Sequence, residues 1–188
     1  VILEALKKIS TDIPIISEET FNEDCLKSLS KTYWLVDPLD GTKEFINKTD
    51  EFTVNIALID NKKVIFGIVA APVSGKIWLG SVFDNNDNEK SNAVEKIRIV
   101  MSKSHKSDND IAFLEFLNHK GYAHEVIEKG SSLKLCSLAD NDADIYPRFG
   151  PTSEWDIAAA HAVLSSYGGS VVKIKDNEEL NYAKESSI

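Results

Sequence analysis

The sequence has few cysteines, no long apolar run and a shortage of positive charge. Its two cysteines, Cys25 and Cys136, provide neither a disulfide framework nor a metal-binding spacing, so a reducing cytoplasm is expected. The apolar runs are too short to span a bilayer, and the first residues do not resemble a signal peptide. With 21 basic and 30 acidic residues, the net charge is −9, which argues against nonspecific binding to nucleic acid polymers or membranes.

The composition is otherwise that of a globular protein, and 188 residues suffice for one compact domain or two joined lobes. Residues 2–9 have the apolar spacing of a helix, and residues 13–17 form a short buried-strand pattern. Three β-rich runs then follow with short turns between them, which predicts an antiparallel meander. These runs are residues 52–60, 62–73 and 76–82.

The second half alternates between strand and helix patterns, which predicts a layered α/β arrangement. Strands are expected over 96–102, 122–128 and 144–149. Helices are expected over 108–119, 131–139 and 154–167, the first with Ile111, Leu114 and Leu117 inward and the last with an inward stripe of Ile157, Ala160, His161 and Leu164. The polar stretch 83–93 is the predicted boundary between an N-terminal lobe (1–93) and a C-terminal lobe (94–188).

The stretch YWLVDPLDGTKEF, residues 33–45, is the centre of this organisation. A buried strand is expected to stop at Asp37 because Pro38 has no N–H and fixes φ. The turn then brings Asp37 and Asp40 together beside Gly41 and Thr42. Two carboxylates next to exposed backbone N–H groups suit a hard cation held against a phosphate. Each aspartate alone is equally typical of a turn.

Other candidate residues carry a structural alternative as well. Asp156 begins a helix, where it interacts favourably with the helix dipole, but it also stands at the edge of a possible cleft. Glu18 and Glu19 follow a buried strand, where a pair of carboxylates costs free energy unless another group compensates it, but acidic pairs are also common on protein surfaces. Lys134 and Arg148, near Ser131, are candidates for binding a second phosphate or are solvated surface cations, and His105 is a ligand contact or a surface histidine.

Taken together, IISEE, WLVDPLDGTKEFI and EWDIAAAHAVL resemble the inositol monophosphatase superfamily of Mg²⁺-dependent, lithium-sensitive phosphatases. KEFI after DGT, GSSLKLC and YPRFGPTSEWD are similar to its 3′(2′),5′-bisphosphate nucleotidase (CysQ-type) branch. The resemblance covers essentially the whole chain. It implies an αβαβα sandwich with two lobes meeting at a metal cleft, and a role in sulfur metabolism.

The resemblance also implies roles for single residues. Two or three Mg²⁺ ions are expected, with ligands Glu18, Asp37, the carbonyl of Leu39, Asp40 and Asp156. Thr42, with Glu18 and Asp37, is expected to serve catalysis by activating a metal-bound water. The substrate is expected to contact Gly41, Thr42, Ser131, Lys134, Arg148 and His105.

The implied reaction is hydrolysis of adenosine 3′,5′-bisphosphate to AMP and phosphate. An inositol-phosphate or sugar-phosphate phosphatase is the alternative within the superfamily, and an inactive metal- or nucleotide-binding remnant is the alternative outside catalysis. The haloacid dehalogenase type is disfavoured because its motif is DxDGT, whereas this chain has DxxDGT. The family's N-terminal segment, whose acidic residue pairs with the motif threonine, is not found before Val1, so a truncated piece of the enzyme or a gene product lacking that region is expected.

Overall fold

The computed structural model describes residues 1–22, 24, 29–84, 95–103 and 107–183. Within them the chain alternates between short helices and strands, and a 3-10 turn spans Glu18–Thr20. The helices are α1 (Ile2–Ile9), α2 (Thr42–Ile46), α3 (Asp108–His119), α4 (Leu133–Ala139) and α5 (Glu154–Ser166). The strands are β1 (Ile15–Ser17), β2 (Thr32–Asp40), β3 (Thr53–Asp60), β4 (Lys63–Ala71), β5 (Lys76–Ser81), β6 (Ile97–Ser102) and β7 (His124–Lys129).

The larger sheet has five strands in the order β1-β2-β3-β4-β5. β1 pairs with β2 in parallel, whereas the later neighbours are antiparallel, which confirms the predicted meander. In β3, every second side chain from Thr53 onward is buried, as expected for a strand with one face on the core. The second sheet is the parallel pair β6 and β7.

The elements stack in five layers. α1 packs on one face of the large sheet through Leu6, Trp34 and Val36. α4 and α5 cover the opposite face, and α4 also contacts β6. α3 forms the outer layer, packing Leu117 against Ile99 and Met101 of the small sheet. The predicted αβαβα sandwich is therefore confirmed.

α5 approaches the large sheet unusually closely because glycines face it. A Cβ at Gly67 of β4 would lie 2.2 Å from the carbonyl oxygen of Ala159, and one at Gly80 of β5 would lie 2.4 Å from the Cα of Val163. Alanines at 158, 159, 160 and 162 complete this contact and are almost fully buried. The backbone of α5 is thereby fixed against the strands, which fixes the position of its first turn.

Several sequence predictions are wrong in detail. β2 does not stop at Asp37 but continues to Asp40 through an irregularity in its pairing with β3. Residues 144–149 form no strand beyond a single bridge between Ile145 and Ile99, since Asp144 is engaged by Arg98 and Pro147 has no N–H to donate. The side chain of Ile111, predicted to face inward, is half exposed.

α5 also differs from the amphipathic helix that the sequence suggests. Ala160, His161 and Leu164 are buried as predicted, but so are the residues between them, because the helix lies in the central layer. It ends at Ser166 with Tyr167 as its C-cap, and Gly168 follows with a positive φ of 77°, which confirms the expected helix stop.

The core contains residues from both predicted lobes, since Val69 of β4 and Trp155 of α5 belong to one cluster. The predicted lobe boundary, residues 83–93, lies mostly outside the described residues and stays a prediction. Cys25 also lies outside the described residues. Cys136 is buried in the core as expected. None of the helices in the described ranges has the length and apolarity that a membrane crossing requires.

Candidate metal centre

The irregularity in β2 explains how Asp37 and Asp40 come to lie on the same side of the sheet. Residues three apart in a regular strand point to opposite faces. Here Asp37 pairs with Asn55 and Asp40 pairs with Thr53, so three steps on β2 match two on β3. The extra residue of this bulge turns Asp40 to the face that Asp37 occupies. Pro38 fits within it because a bulge leaves a backbone N–H without a ladder partner.

Asp37 is a buried carboxyl group with other carboxylates around it. Its side chain is 1% exposed, and its Oδ1 accepts a hydrogen bond from the N–H of Leu39 at 2.9 Å. Burial, the largest cause, and the neighbouring charges of Asp40 and Glu18 together raise the pKa of Asp37 to about 8, although the hydrogen bond from Leu39 acts in the opposite direction. A bound cation would compensate this burial and repulsion.

Asp156 is the third residue of α5 and is oriented by the residues before the helix. Its Oδ2 accepts hydrogen bonds from the N–H of Ser153 and the hydroxyl of Thr152, each at 3.0 Å. The reverse bond from a third helical residue to the residue before the helix is half of a capping box. Burial raises the pKa of Asp156, and the charge of Asp40 adds to this effect. Asp156 therefore lies in the first turn of the helix, as the structural alternative predicts, and it also caps that turn.

Asp37, Asp40 and Asp156 bring one carboxylate oxygen each within 4.8 Å of one another. Oxygen ligands from carboxylates are those preferred by Mg²⁺, which commonly retains several waters as well. The pKa of two of the three carboxyl groups is raised by burial and by mutual repulsion, as expected for ligands whose charge a cation balances. The residues therefore fit a hard divalent cation.

Glu18 lies next to this cluster but not within it. Ser17 of β1 pairs with Val36 of β2 in parallel, so Glu18 follows β1 at the level of Asp37 in β2. Its carboxylate acts on the pKa of Asp37 both by charge and by a hydrogen bond. Glu18 is nevertheless exposed and has no atom in the group of three. Its role as a metal ligand stays a prediction.

Gly41 and Thr42 lead from the bulge into α2. Gly41 has a φ of 89°, and a Cβ there would lie 3.1 to 3.3 Å from Ser131, Glu51 and Phe52, so a side chain would be both strained and crowded. The Thr42 side chain is exposed, and its hydroxyl lies 3.5 Å from the carbonyl oxygen of Leu39. The predicted roles of Gly41 and Thr42 toward phosphate, and of Leu39 toward metal, are not tested by this geometry.

The predicted substrate residues Ser131, Lys134 and Arg148 lie near the carboxylate cluster. The Lys134 ammonium, in a side chain only 8% exposed, donates to the carbonyl of Ser131 at 2.7 Å and stands 5.6 Å from the ring centre of Tyr146. Burial lowers the pKa of Lys134, Asp40 opposes the shift, and Arg148 adds to it. Arg148 donates to the carbonyl of Pro151 at 2.8 Å. His105 lies outside the described residues.

Sequence reasoning missed three polar residues that contact Asp40. Thr53 and Asn55 donate to its Oδ2 at 3.3 and 3.2 Å, and the N–H of Ser132 donates to the same oxygen at 2.6 Å. A signal existed for two of them. Thr53 and Asn55 occupy the inward positions of an alternating strand, where an apolar side chain is the rule.

Comparisons with known proteins place this geometry in a family. The model of the inositol monophosphatase family matches residues 1–188. The chain is 42% identical over 179 residues to the 3′(2′),5′-bisphosphate nucleotidase CysQ of Salmonella typhimurium, covering 91% of this chain and 71% of the relative. It is 39% identical to the nucleotidase of the same name from Buchnera aphidicola, covering 100% of this chain and 72% of the relative.

A solved structure leads to the same result. The crystal structure of CysQ from Bacteroides thetaiotaomicron, a bacterial member of the inositol monophosphatase family, superimposes with a TM-score of 0.84 at 32% identity. The match covers 98% of this chain and 78% of that protein. The predicted fold and the resemblance to an enzyme family are thereby confirmed. The chain belongs to the inositol monophosphatase family, and its similarity is to the 3′(2′),5′-bisphosphate nucleotidase branch.

Proposed function

We propose that this chain hydrolyses the 3′-phosphate of adenosine 3′,5′-bisphosphate to AMP and phosphate in a Mg²⁺-dependent reaction. The observation that carries the proposal is the group of three carboxylates within 4.8 Å of one another, beside a buried lysine. Relatives that are 39% and 42% identical are named 3′(2′),5′-bisphosphate nucleotidases, which supports the choice of substrate.

Asp37, Asp40 and Asp156 would hold Mg²⁺, joined by Glu18 and the carbonyl of Leu39. Bound there, Mg²⁺ would supply an activated water and neutralise charge on the phosphate oxygens. The carboxylates of this chain would hold the cation, and Thr42 would orient the attacking water through its hydroxyl. Because the water is the nucleophile, no covalent intermediate on the protein is needed.

Gly41, Ser131, Lys134 and Arg148 would bind the substrate. Gly41 has the positive φ that glycine adopts readily, and its backbone N–H would donate to a phosphate oxygen. Lys134 and Arg148 would contact the second phosphate, for which two neighbouring cations are suited. This second phosphate is the feature that distinguishes the bisphosphate nucleotide from inositol 1-phosphate, so the two cations favour the nucleotide over the alternative substrate class.

The first test is release of phosphate from adenosine 3′,5′-bisphosphate by this chain, with and without Mg²⁺ and with inositol 1-phosphate in parallel. We expect Mg²⁺-dependent release from the nucleotide and much less from inositol 1-phosphate. Preference for inositol 1-phosphate would overturn the substrate, and no release from either in Mg²⁺ would overturn the activity of this chain.

The second test asks whether the carboxylate cluster is responsible. We expect Asp156→Asn to lower the rate at least a hundredfold with an unchanged circular dichroism spectrum, because one cation ligand loses its charge. Asp176→Asn is the matched control, since that carboxylate is exposed on a surface turn. Near-normal turnover by Asp156→Asn in saturating Mg²⁺ would contradict the assignment.

A further inference from the structure

A buried pair of polar side chains, Asn55 and Ser132, lies directly behind the carboxylate cluster. Asn55 is 1% exposed and Ser132 is 3% exposed. They come from β3 and from the residue before α4, 77 positions apart in the sequence, and the Asn55 amide donates to the Ser132 hydroxyl at 2.9 Å. Neither residue has a role in the function proposed above.

This pair connects to two of the three clustered carboxylate residues. Asn55 Nδ2 and the N–H of Ser132 both donate to Oδ2 of Asp40, at 3.2 and 2.6 Å. The Ser132 hydroxyl donates to the backbone carbonyl of Asp156 at 2.8 Å. The bulge of β2, the start of α4 and the first turn of α5 are thus joined through one pair of side chains.

The two carboxylate oxygens of Asp40 differ in the number of hydrogen bonds that they accept. Oδ2 accepts three hydrogen bonds, since the hydroxyl of Thr53 also donates to it at 3.3 Å, whereas Oδ1 accepts none within the described part of the chain. The terminal torsion of an aspartate is broad, so an unheld carboxylate samples many orientations. Three donors on Oδ2 fix the orientation and keep Oδ1 available to a cation.

The hydrogen bonds of this arrangement require a donor of two hydrogen bonds at position 55, which the amide of Asn55 supplies. The Ser132 hydroxyl uses its proton on the Asp156 carbonyl, so it can only accept from Asn55. Oδ2 of Asp40 is likewise an acceptor. Because the Ser132 hydroxyl and Oδ2 of Asp40 are both acceptors toward Asn55, the NH₂ group of its amide faces them. The amide oxygen therefore faces away, and this buried Oδ1 has no hydrogen bond from the described residues.

We propose that Asn55 and Ser132 are positioning residues that set Asp40 and Asp156 at the distance a divalent cation needs. Groups that hold metal ligands in place commonly change metal affinity 10- to 100-fold when they are removed. The inference rests on the proposed function for its cation site. It is separable from that function, because binding of a cation can be measured without substrate.

The test is Mn²⁺ affinity, measured from the electron paramagnetic resonance signal of free Mn²⁺ without substrate, for Asn55→Leu and Ser132→Ala. Leucine has nearly the shape of asparagine without its donors, and Ser132→Ala removes only the hydroxyl. We expect affinity to fall at least tenfold in each variant. Ser137→Ala is the matched control, because that buried hydroxyl of α4 donates to the Leu133 carbonyl and has no hydrogen bond to the cluster.

Turnover gives a second readout. A positioning defect should raise the Mg²⁺ concentration for half-maximal rate at least tenfold and recover most of the rate at saturating Mg²⁺. If wild type binds Mn²⁺ without releasing phosphate and both variants bind Mn²⁺ at least tenfold more weakly, the proposed function fails and this inference stands. If both variants fold and bind Mn²⁺ as tightly as wild type does, the inference is overturned. If Asn55→Leu does not fold, the Mn²⁺ affinity of Ser132→Ala alone decides.

Discussion

His161 makes folding of this chain sensitive to acid at a position away from the carboxylate cluster. It lies on α5 with its ring 1% exposed, and its Nδ1 is 2.7 Å from the hydroxyl of Tyr182. Nε2 has no hydrogen-bond partner among the described residues, and the exposed Glu179 carboxylate is 3.8 Å away. Burial lowers the pKa of His161 from 6.5 to about 4, and the charge of Glu179 only partly opposes the shift.

The sign and size of the effect follow from this shift. Between pH 6.5 and 4 the unfolded chain binds a proton at His161 that the folded chain does not, so stability falls as the pH falls through this window. At pH 5.0 the difference between the two states amounts to about 2 kcal/mol relative to pH 7.5. Replacing the imidazole by a group that does not titrate should remove this loss.

The assay is urea unfolding at pH 7.5 and 5.0, followed by tryptophan fluorescence, for wild type and His161→Gln. We expect the variant to be less stable at pH 7.5 but to lose about 2 kcal/mol less than wild type on acidification. His119→Gln is the control because His119 is exposed at the end of α3. An equal loss in wild type and His161→Gln would refute the reasoning, since carboxylates elsewhere titrate equally in both.

Two further predictions concern the candidate site. Lys134→Gln should raise KM for adenosine 3′,5′-bisphosphate about tenfold or more, as expected for one lost charge-assisted hydrogen bond. The KM for adenosine 3′-monophosphate, which lacks the second phosphate, should change little. An equal change for both substrates would contradict the contact between Lys134 and the second phosphate. Deleting Pro38 should remove the extra residue of the bulge and restore regular pairing of β2, which leaves Asp37 and Asp40 two residues apart and on the same face. Mn²⁺ binding should therefore be retained with an unchanged circular dichroism spectrum, and loss of binding would show that the bulge does more than bring the two aspartates to one face.

Much of the fold could be predicted from local patterns, and the errors have physical causes. The meander was predictable because three β-rich runs follow one another with short turns between them, and the structure pairs them as antiparallel neighbours. The layer in which a helix lies was not predictable, because α5 is buried all round rather than on one stripe. Nor was the loss of a strand at 144–149, where the bond between Asp144 and Arg98 depends on residues 46 apart.

The candidate site was predictable where its residues are close in sequence. Asp37 and Asp40 are three apart, so the motif alone indicated that their carboxylates converge, although it did not indicate how. Pro38 was expected to end the strand, and the strand instead continues past it. The donors to Asp40 come from two segments, β3 and the residue before α4, and no local pattern relates Asn55 to a serine 77 positions later.

The position of the cluster follows from the rigidity of its supports. Asp156 is the third residue of a helix whose backbone is in direct contact with Gly67, so its first turn cannot shift without moving the sheet. Asp37 and Asp40 belong to that same sheet, and the bulge fixes their relative direction. Three mutually repelling carboxylates are therefore held together by packing and backbone pairing, not by their own interactions. Because these ligands are already held in place without a cation, binding of the cation loses little conformational entropy in ordering them, which is the advantage of a preorganised site.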